Sequence, residues 1–145
     1  MEEFDDLKIE NQICFPLYAC SKEIIKKYKP LLDKYDLTYT QYLVMMIMWD
    51  KKQINVKELG KCLYLDSGTL TPVLKKLENK GYVERNRSEE DERNLIVSIS
   101  KKGEGLKKDI KEVPTKMGES LVLTIDEVGT LYKILYKILG QVEEG

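Results

Sequence analysis

Two short β-prone runs that enclose a strongly charged segment constrain the fold of this chain more than any other feature. The runs lie at 82–85 and 95–100, and apolar residues alternate with other residues along the second run. Six of the nine residues between them, 86–94, carry a charge, so this segment is too polar for a protein core. The pattern predicts a β-hairpin with a tip that protrudes into solvent.

Two short helical patterns directly precede the hairpin. The first begins at a candidate capping box, 55–58, and the second has Asp66 and Ser67 as candidate N-cap residues and Gly81 as a natural stop. The predicted inner face of the second helix consists of Leu70, Val73, Leu74 and Leu77. The elements therefore follow the order of a winged helix-turn-helix: a helix, a tight connection at 64–65, a second helix and a hairpin. In that motif the second helix enters the major groove of DNA.

Longer helices are predicted on both sides of this unit. An opening helix at about 11–29 is expected to end or kink at Lys29-Pro30, because a residue before proline avoids the helical conformation. A helix at about 40–50 is too apolar to be exposed and is predicted to be central. After the hairpin, Ser100 can cap a further helix, which Pro114 is expected to interrupt.

The last helix is predicted to begin at a second capping box, Thr124 to Glu127. Apolar residues follow at alternating spacings of three and four, namely Val128, Leu131, Leu135, Ile138 and Val142. Such a seam packs well against another helix. From the pattern alone, that helix can belong to a second subunit, or the seam can cover the core of its own chain.

Composition excludes several classes of protein. The chain has no histidine, which excludes histidine-based catalytic triads and most catalytic zinc sites. Its three cysteines lack Cys-x-x-Cys spacing, which argues against a disulfide framework and a zinc site. The first residues do not form a signal peptide, and the longest apolar run, 42–49, is too short to cross a bilayer. We therefore expect a soluble cytoplasmic protein that is not an enzyme and needs no metal or cofactor.

Local segregation of charge favours DNA binding, although the net charge is only −1. The segment 73–87 has five basic and two acidic side chains, a charge of +3, and small hydroxyl residues in the first turns of the second helix can approach phosphates and base edges. Arg87 and Arg93 bracket the hairpin tip, where an arginine can enter a minor groove and Asp91 can brace Arg93. Each basic residue taken alone could instead solvate a surface helix. The predicted DNA-binding residues are Ser67, Gly68, Thr69, Thr71, Pro72, Lys75, Lys76, Arg85, Arg87, Asp91 and Arg93.

Two stretches of this region carry a resemblance to a known family. They are Leu65-Asp-Ser-Gly-Thr-Leu-Thr-Pro-Val-Leu-Lys-Lys-Leu-Glu-Asn-Lys-Gly-Tyr-Val and its continuation from Arg85-Asn-Arg-Ser-Glu-Glu-Asp-Glu-Arg-Asn-Leu to Ser100-Lys-Lys-Gly. Both resemble the MarR family of bacterial transcriptional regulators. The resemblance implies a single MarR-like domain over 1–145, with a winged helix-turn-helix at 36–103 and dimerisation helices at 1–35 and 104–145. It also implies a homodimer that binds double-stranded operator DNA.

The N-terminal part is similar to the thiol-based peroxide sensors of this family, the organic hydroperoxide resistance regulators and their staphylococcal virulence-regulator relatives. The matching residues are Glu10-Asn-Gln-Ile-Cys-Phe, Leu17-Tyr, Tyr28-Lys-Pro-Leu-Leu and Leu37-Thr-Tyr-Thr-Gln-Tyr. The resemblance implies that Cys14 reacts with peroxide, surrounded by Tyr18 and by Tyr28 and Tyr39 of the other subunit. Because no cysteine follows Cys62, it also implies the one-cysteine type, in which the sulfenic acid forms a mixed disulfide with a small thiol.

A reactive Cys14 is physically reasonable, because a helix start and phenolic hydroxyls both stabilise a thiolate. Pro16 indicates that the opening helix starts close to Cys14 or kinks there. From the residues alone, a free cysteine such as Cys14 is more often a small buried residue. Cys20 is expected in the core, and Cys62 either in the core or exposed.

The resemblance thus implies a transcriptional repressor that senses organic hydroperoxide, and hence oxidative stress, through oxidation of Cys14. One alternative is a MarR-type regulator that a small phenolic ligand releases from DNA, with Cys14 inert. A thiol peroxidase that turns over is a second alternative, disfavoured by the lack of a resolving cysteine. A winged helix used only for protein contacts is a third, disfavoured by the polar and basic start of the second helix.

Overall fold

Helices form most of the structure, and a small antiparallel sheet lies among them. The computed structural model describes residues 2–91 and 94–143, without the side chain of Glu143. It confirms the predicted mainly α-helical fold with a β-hairpin wing. After two 3-10 turns at Asp5–Leu7 and Ile9–Asn11, the elements are α1 (Cys14–Asp33), α2 (Tyr39–Lys51), β1 (Gln53–Asn55), α3 (Val56–Leu63), α4 (Ser67–Asn79), β2 (Val83–Arg87), β3 (Leu95–Ile99), α5 (Lys101–Ile110), α6 (Glu112–Ser120) and α7 (Ile125–Glu143).

Helix α1 continues past its predicted end. Of the two outcomes expected at Lys29-Pro30, an end or a kink, the end is wrong, because Pro30 lies inside a helix that runs to Asp33. A proline there removes one backbone hydrogen bond, but burial of Leu32 in the same turn holds the last residues in place. Pro16 lies in the first turn, where a missing amide is tolerated. The helix therefore starts close to Cys14, one of the two predicted alternatives.

Helix α2 is the central helix of the fold, as predicted. Six of its residues are buried, and the indole nitrogen of Trp49 donates a hydrogen bond of 2.9 Å to the carbonyl of Gly103 in α5. The helix begins at a capping box that the sequence analysis missed. In this box the Thr38 hydroxyl accepts from the Gln41 amide at 3.2 Å, and the Gln41 side chain accepts from the Thr38 amide at 3.1 Å.

The helix-turn-helix consists of α3 and α4, which begin at the predicted caps. The Asn55 side chain accepts from the Lys57 amide at 2.8 Å, and the Asp66 side chain accepts from the Thr69 amide at 2.7 Å. The connection between the helices is tight, since Tyr64 adopts a left-handed conformation with φ of 57°. Gly81 follows α4 with φ of 82°, which suits a residue without a Cβ atom.

The sheet has three strands in the order β1-β3-β2, all antiparallel. Strand β1 was not predicted, because three residues are too few to show a periodic pattern. Strand β2 is longer than predicted, since Asn86 and Arg87 pair with Ile96 and Leu95. Residues 86 and 87 therefore belong to the wing strands and not to its tip.

The first compact unit of the chain extends to Val113 and contains the helix-turn-helix and the wing. Its core lies between α2, α4, the sheet and α5. The predicted inner face of α4 is confirmed, because Leu70, Leu74 and Leu77 are buried and Val73 is partly buried. Ser100 caps α5 as predicted, through the amide of Gly103 at 3.0 Å.

The second compact unit begins at Pro114, within the segment that the sequence assigns to dimerisation. As expected, the helix that Ser100 caps ends before Pro114, at Ile110. Pro114 lies in the first turn of the next helix, α6, where a proline needs no hydrogen-bond partner. The predicted capping box of α7 is confirmed by reciprocal bonds of 2.9 and 3.1 Å between Thr124 and Glu127. Among the described helices, none has both the length and the apolar character needed to cross a membrane.

Candidate nucleic-acid interface and thiol site

The outer face of α4 presents nearly all the predicted DNA-binding residues of this helix together. Positions 67, 68, 71, 72, 75 and 76 recur at helical spacing on the side away from buried Leu70, Leu74 and Leu77, and all six are exposed. Thr69 is exposed too, and its amide bonds to Asp66. That bond lowers the pKa of the Asp66 carboxyl and fixes the start of the helix.

Pro72 gives the outer face an unusual backbone feature. It lies in the second turn of α4, where its ring nitrogen has no hydrogen to donate to the carbonyl of Gly68. Both residues are exposed, so this carbonyl oxygen can accept a hydrogen bond from water or from a bound group. Small side chains and an open carbonyl make this face suitable for close approach to another polymer.

Arg85 has a different environment from that of the other predicted DNA-binding residues. Its guanidinium Nη2 lies 3.2 Å from Oε1 of Glu78, and its backbone amide donates to Oε2 of the same carboxylate at 2.9 Å. The side chain is only 20% exposed. These hydrogen bonds hold the pKa of Glu78 below its usual value. Arg85 thus joins β2 to α4 and is turned away from solvent.

The wing tip brings Asp91, one of the remaining predicted residues, near the start of α4. Arg87 ends β2 and is exposed, while Asp91 is partly buried and lines a cleft of about 560 Å³ together with Ser67 and Asn94. Arg93 lies outside the described residues, so the predicted contact between Asp91 and Arg93 is not described either. The wing and the first turn of α4 therefore border one groove.

Cys14 is the first residue of α1 and is exposed. Tyr18 lies one helical turn further on the same face and is also exposed. The first amides of a helix have no intrahelical partner, and their partial positive charge favours an anion such as a thiolate. Exposed Ile13, Phe15 and Leu17 surround this position with apolar surface.

Tyr28 and Tyr39 lie together at the other end of α1. Their ring centroids are 4.7 Å apart, and the ring of Tyr42 lies 5.9 Å from that of Tyr28. Burial raises the pKa of Tyr28 and of Tyr39 above the usual value, so both remain neutral phenols that can donate a hydrogen bond. At a rise of 1.5 Å per residue, Tyr28 lies about 21 Å along the helix axis from Cys14. The two tyrosines therefore cannot contact Cys14 of their own chain.

The other two cysteines are exposed as well. The expectation that Cys20 lies in the core is wrong. Cys20 shares one helix face with Ile24 and Tyr28, which are partly buried. Between Cys14 and Glu23, however, every residue except Ala19 is exposed. The first half of α1 is thus left uncovered within a single chain. Cys62 near the end of α3 takes the exposed one of its two predicted environments.

Comparison with known proteins gives consistent matches. Residues 26–110 match the family described as transcriptional regulator SarA/Rot. The chain is 51% identical over 112 residues to the organic hydroperoxide resistance transcriptional regulator of Bacillus subtilis, covering 77% of this chain and 76% of that protein. It is 46% identical over 135 residues to the regulator SarZ of Staphylococcus haemolyticus, covering 93% and 92%. Reduced AbfR bound to DNA, a Staphylococcus epidermidis protein, superposes with a TM-score of 0.80 at 30% identity, covering 97% of this chain and 99% of that one.

Proposed function

Because the chain belongs to the SarA/Rot family of MarR-type transcriptional regulators, we propose that it is a homodimeric repressor that leaves its operator when organic hydroperoxide oxidises Cys14. The relatives named above are regulators, and one bears hydroperoxide resistance in its name. The protein acts in the cytoplasm, where operator DNA is found, and it is not an enzyme.

The separation of Cys14 from the paired tyrosines carries the proposal. Each chain holds an exposed thiol at the start of α1 and a pair of neutral phenols about 21 Å away. A second copy in antiparallel contact brings the phenols of one chain to the thiol of the other, where their hydroxyls donate to the thiolate. Two such composite sites form in each dimer, with Tyr18 contributed by the chain that holds the cysteine.

Exposed apolar residues support the dimer. The start of α1 exposes Ile13, Phe15 and Leu17, and α7 exposes most of its predicted seam. Exposed apolar patches of this kind on a small protein mark interaction surfaces. The seam residues that are exposed on α7 are Val128, Leu131, Ile138 and Val142. A second subunit is therefore favoured over the alternative in which the seam covers the core of its own chain.

The DNA-binding mode follows from the outer face of α4 and from the wing. In a winged helix-turn-helix the second helix enters the major groove, so its exposed residues face base edges and phosphates there, namely 67, 68, 69, 71, 72, 75 and 76. Arg87, Asp91 and Arg93 belong to the wing, which reaches the adjacent minor groove. Arg85 supports the wing through its bond to Glu78. Two subunits read half-sites about one helical turn apart.

The sensing chemistry needs a hydroperoxide and a small thiol. The Cys14 thiolate attacks the terminal oxygen of the hydroperoxide, an S–O bond forms and the O–O bond breaks. The alkoxide that leaves takes up a proton from solvent and becomes the alcohol. Cys14 becomes a sulfenic acid, which is an oxidation by two electrons. The small thiol then attacks the oxidised sulfur, a disulfide forms, and water leaves. The added group displaces the tyrosines, the subunits shift and the DNA is released.

Binding to the protein's own promoter DNA tests the proposal. Wild type and Cys14→Ser are compared in reduced form and after treatment with organic hydroperoxide and a small thiol, with Cys62→Ser as the matched control. We expect wild type and the control to release the DNA and Cys14→Ser to remain bound. Equal responses of wild type and Cys14→Ser would show that Cys14 is inert, and release by a small phenolic acid would then be tested.

A further inference from the structure

The C-terminal end of α4 is joined to the start of α2 by one side chain. Nζ of Lys80, the residue that follows α4, donates to Oε1 of Gln41 at 3.1 Å and also to the backbone carbonyl of Asp36. It lies 3.6 Å from the Asp36 carboxylate, and its side chain is only 26% exposed. Lys80 is therefore directed into the protein at the end of the helix that reads DNA.

Gln41 connects this bond to the beginning of α2. Its side chain is nearly fully buried, at 2% exposure, and the same oxygen that accepts from Lys80 also accepts from the backbone amide of Thr38. That second bond belongs to the capping box that starts α2 at Tyr39. One buried amide oxygen is thus shared between the helix that carries Tyr39 and the helix that carries the DNA-binding face.

The opposite side of the same helix end is held by the wing and α5. Nζ of Lys102 donates to the carbonyl of Lys80 at 2.8 Å, and Oγ of Ser100 donates to the carbonyl of Gly81 at 2.5 Å. These bonds fix the end of α4 to β3 and α5, whereas the Lys80 side chain fixes it to α2. Movement of the α2 start relative to α4 must therefore change or break the bonds of Lys80.

We propose that Lys80 is a positioning residue that couples the state of the thiol site to the orientation of α4. The inference rests on the proposed function, in which oxidation of Cys14 displaces Tyr39 of the partner subunit. Tyr39 is the first residue of α2, so its displacement moves the capping box and Gln41 with it. A ligand or modification shifts an equilibrium only through contacts that differ between the two states. The bond from Lys80 to Gln41 is such a contact.

A variant of Lys80 separates coupling from DNA binding and from thiol chemistry. Lys80→Met removes the donor, Lys80→Arg retains a cation that can reach the same acceptors, and Lys102→Met is the matched control at the same helix end. For each protein, operator affinity is measured before and after hydroperoxide and small thiol, and oxidation of Cys14 is measured by mass spectrometry. The slope of affinity against salt concentration reports whether Lys80 contacts phosphates.

Lys80→Met is expected to oxidise fully at Cys14 and to keep the salt slope of wild type, but to lose less affinity on oxidation. A drop of about 100-fold in wild type is expected to shrink to about fivefold or less, while Lys80→Arg and Lys102→Met behave like wild type. Equal drops in wild type and Lys80→Met would overturn the inference alone. A wild type that stays bound although Cys14 is oxidised would overturn the proposed function and the inference together.

Amide hydrogen exchange of the wild-type dimer tests the same inference without a variant, in case Lys80→Met does not fold. Oxidation is expected to speed exchange at the end of α4, residues 77–81, and at the start of α2, residues 39–42. Exchange that rises at the start of α2 and stays unchanged at the end of α4 would contradict the coupling.

Discussion

The carboxylate of Glu78 in α4 accepts hydrogen bonds from both the guanidinium and the backbone amide of Arg85 in β2, at 3.2 and 2.9 Å. This pair ties α4 to the first strand of the wing. It also explains why a basic residue in the most basic segment of the chain is turned away from solvent. The Glu78 carboxylate therefore contributes to the relative orientation of α4 and the wing.

Glu78→Gln is expected to lower the free energy of unfolding by about 1 kcal/mol at pH 7, because a partly exposed ion pair contributes little more. The pKa of Glu78 is lowered in the folded state. The contribution of Glu78 to the free energy of unfolding is therefore complete above the pKa of the unfolded state, near 4.5. This contribution is lost as the pH falls through the lower pKa of the folded state. Urea unfolding at several pH values, at one fixed protein concentration, measures this. Glu84→Gln, an exposed neighbour, is the control, and an equal acid dependence of wild type and Glu78→Gln would contradict the assignment.

The basic residues on the outer face of α4 are expected to bind phosphates. Lys76→Ala should weaken binding to all DNA sequences and reduce the slope of log affinity against log salt by about 2, for two lysines in a dimer. Lys107→Ala, an exposed lysine on α5, should change neither quantity. Fluorescence anisotropy with labelled operator DNA at several salt concentrations measures both. An unchanged slope for Lys76→Ala would place the DNA elsewhere.

The composite thiol site predicts complementation between two defective chains. The double variant Tyr28→Phe, Tyr39→Phe keeps the ring contact but loses both hydroxyls, so hydroperoxide should oxidise its Cys14 about tenfold more slowly, the effect of about 1.4 kcal/mol. A mixed dimer with Cys14→Ser has one site with a cysteine from one chain and intact tyrosines from the other. Stopped-flow oxidation of the mixed dimer should therefore recover the wild-type rate at half amplitude. No recovery would mean that each site lies within one chain.

Two glycines of α5 offer a matched pair of substitutions. A Cβ atom at Gly103 would lie 2.4 Å from the carbonyl oxygen of Tyr82, whereas at Gly105 it would meet nothing within 4 Å. We expect Gly103→Ala to destabilise the protein by about 2 kcal/mol through this clash. Gly105→Ala should stabilise it by about 1 kcal/mol, because alanine favours a helix. Thermal unfolding measures both effects, and a neutral Gly103→Ala would show that α5 can shift away from the wing.

Sequence-based prediction succeeded mainly where structure depends on neighbours in the chain, although it missed the equally local capping box of Thr38 and Gln41. Caps at Asp66, Ser100 and Thr124 need only residues three positions away, and the sequence contains both partners of each bond. The same locality made the stop at Gly81 predictable. The order of these elements along the chain was sufficient to predict a winged helix-turn-helix.

Prediction failed where contacts are distant in sequence. Pro30 is tolerated because Leu32 packs into the core, and Cys20 is exposed because no described residue of the first compact unit covers it. The environment of Arg85 depends on the sheet register that brings it to Glu78. Of these, only the pairing with Glu78 had a usable signal, an acidic residue at the end of α4 opposite the first wing strand.

Because the thiol and the tyrosine pair lie at opposite ends of α1, the length of this helix sets the distance between them. One residue inserted between Cys14 and Tyr28 would lengthen it by about 1.5 Å and rotate one end by about 100° relative to the other. In the proposed dimer both composite sites would then lose their geometry at once, since each subunit contributes one α1 helix. An insertion or deletion between the two ends of α1 is therefore expected to disrupt thiol sensing more than a substitution of an exposed residue between them.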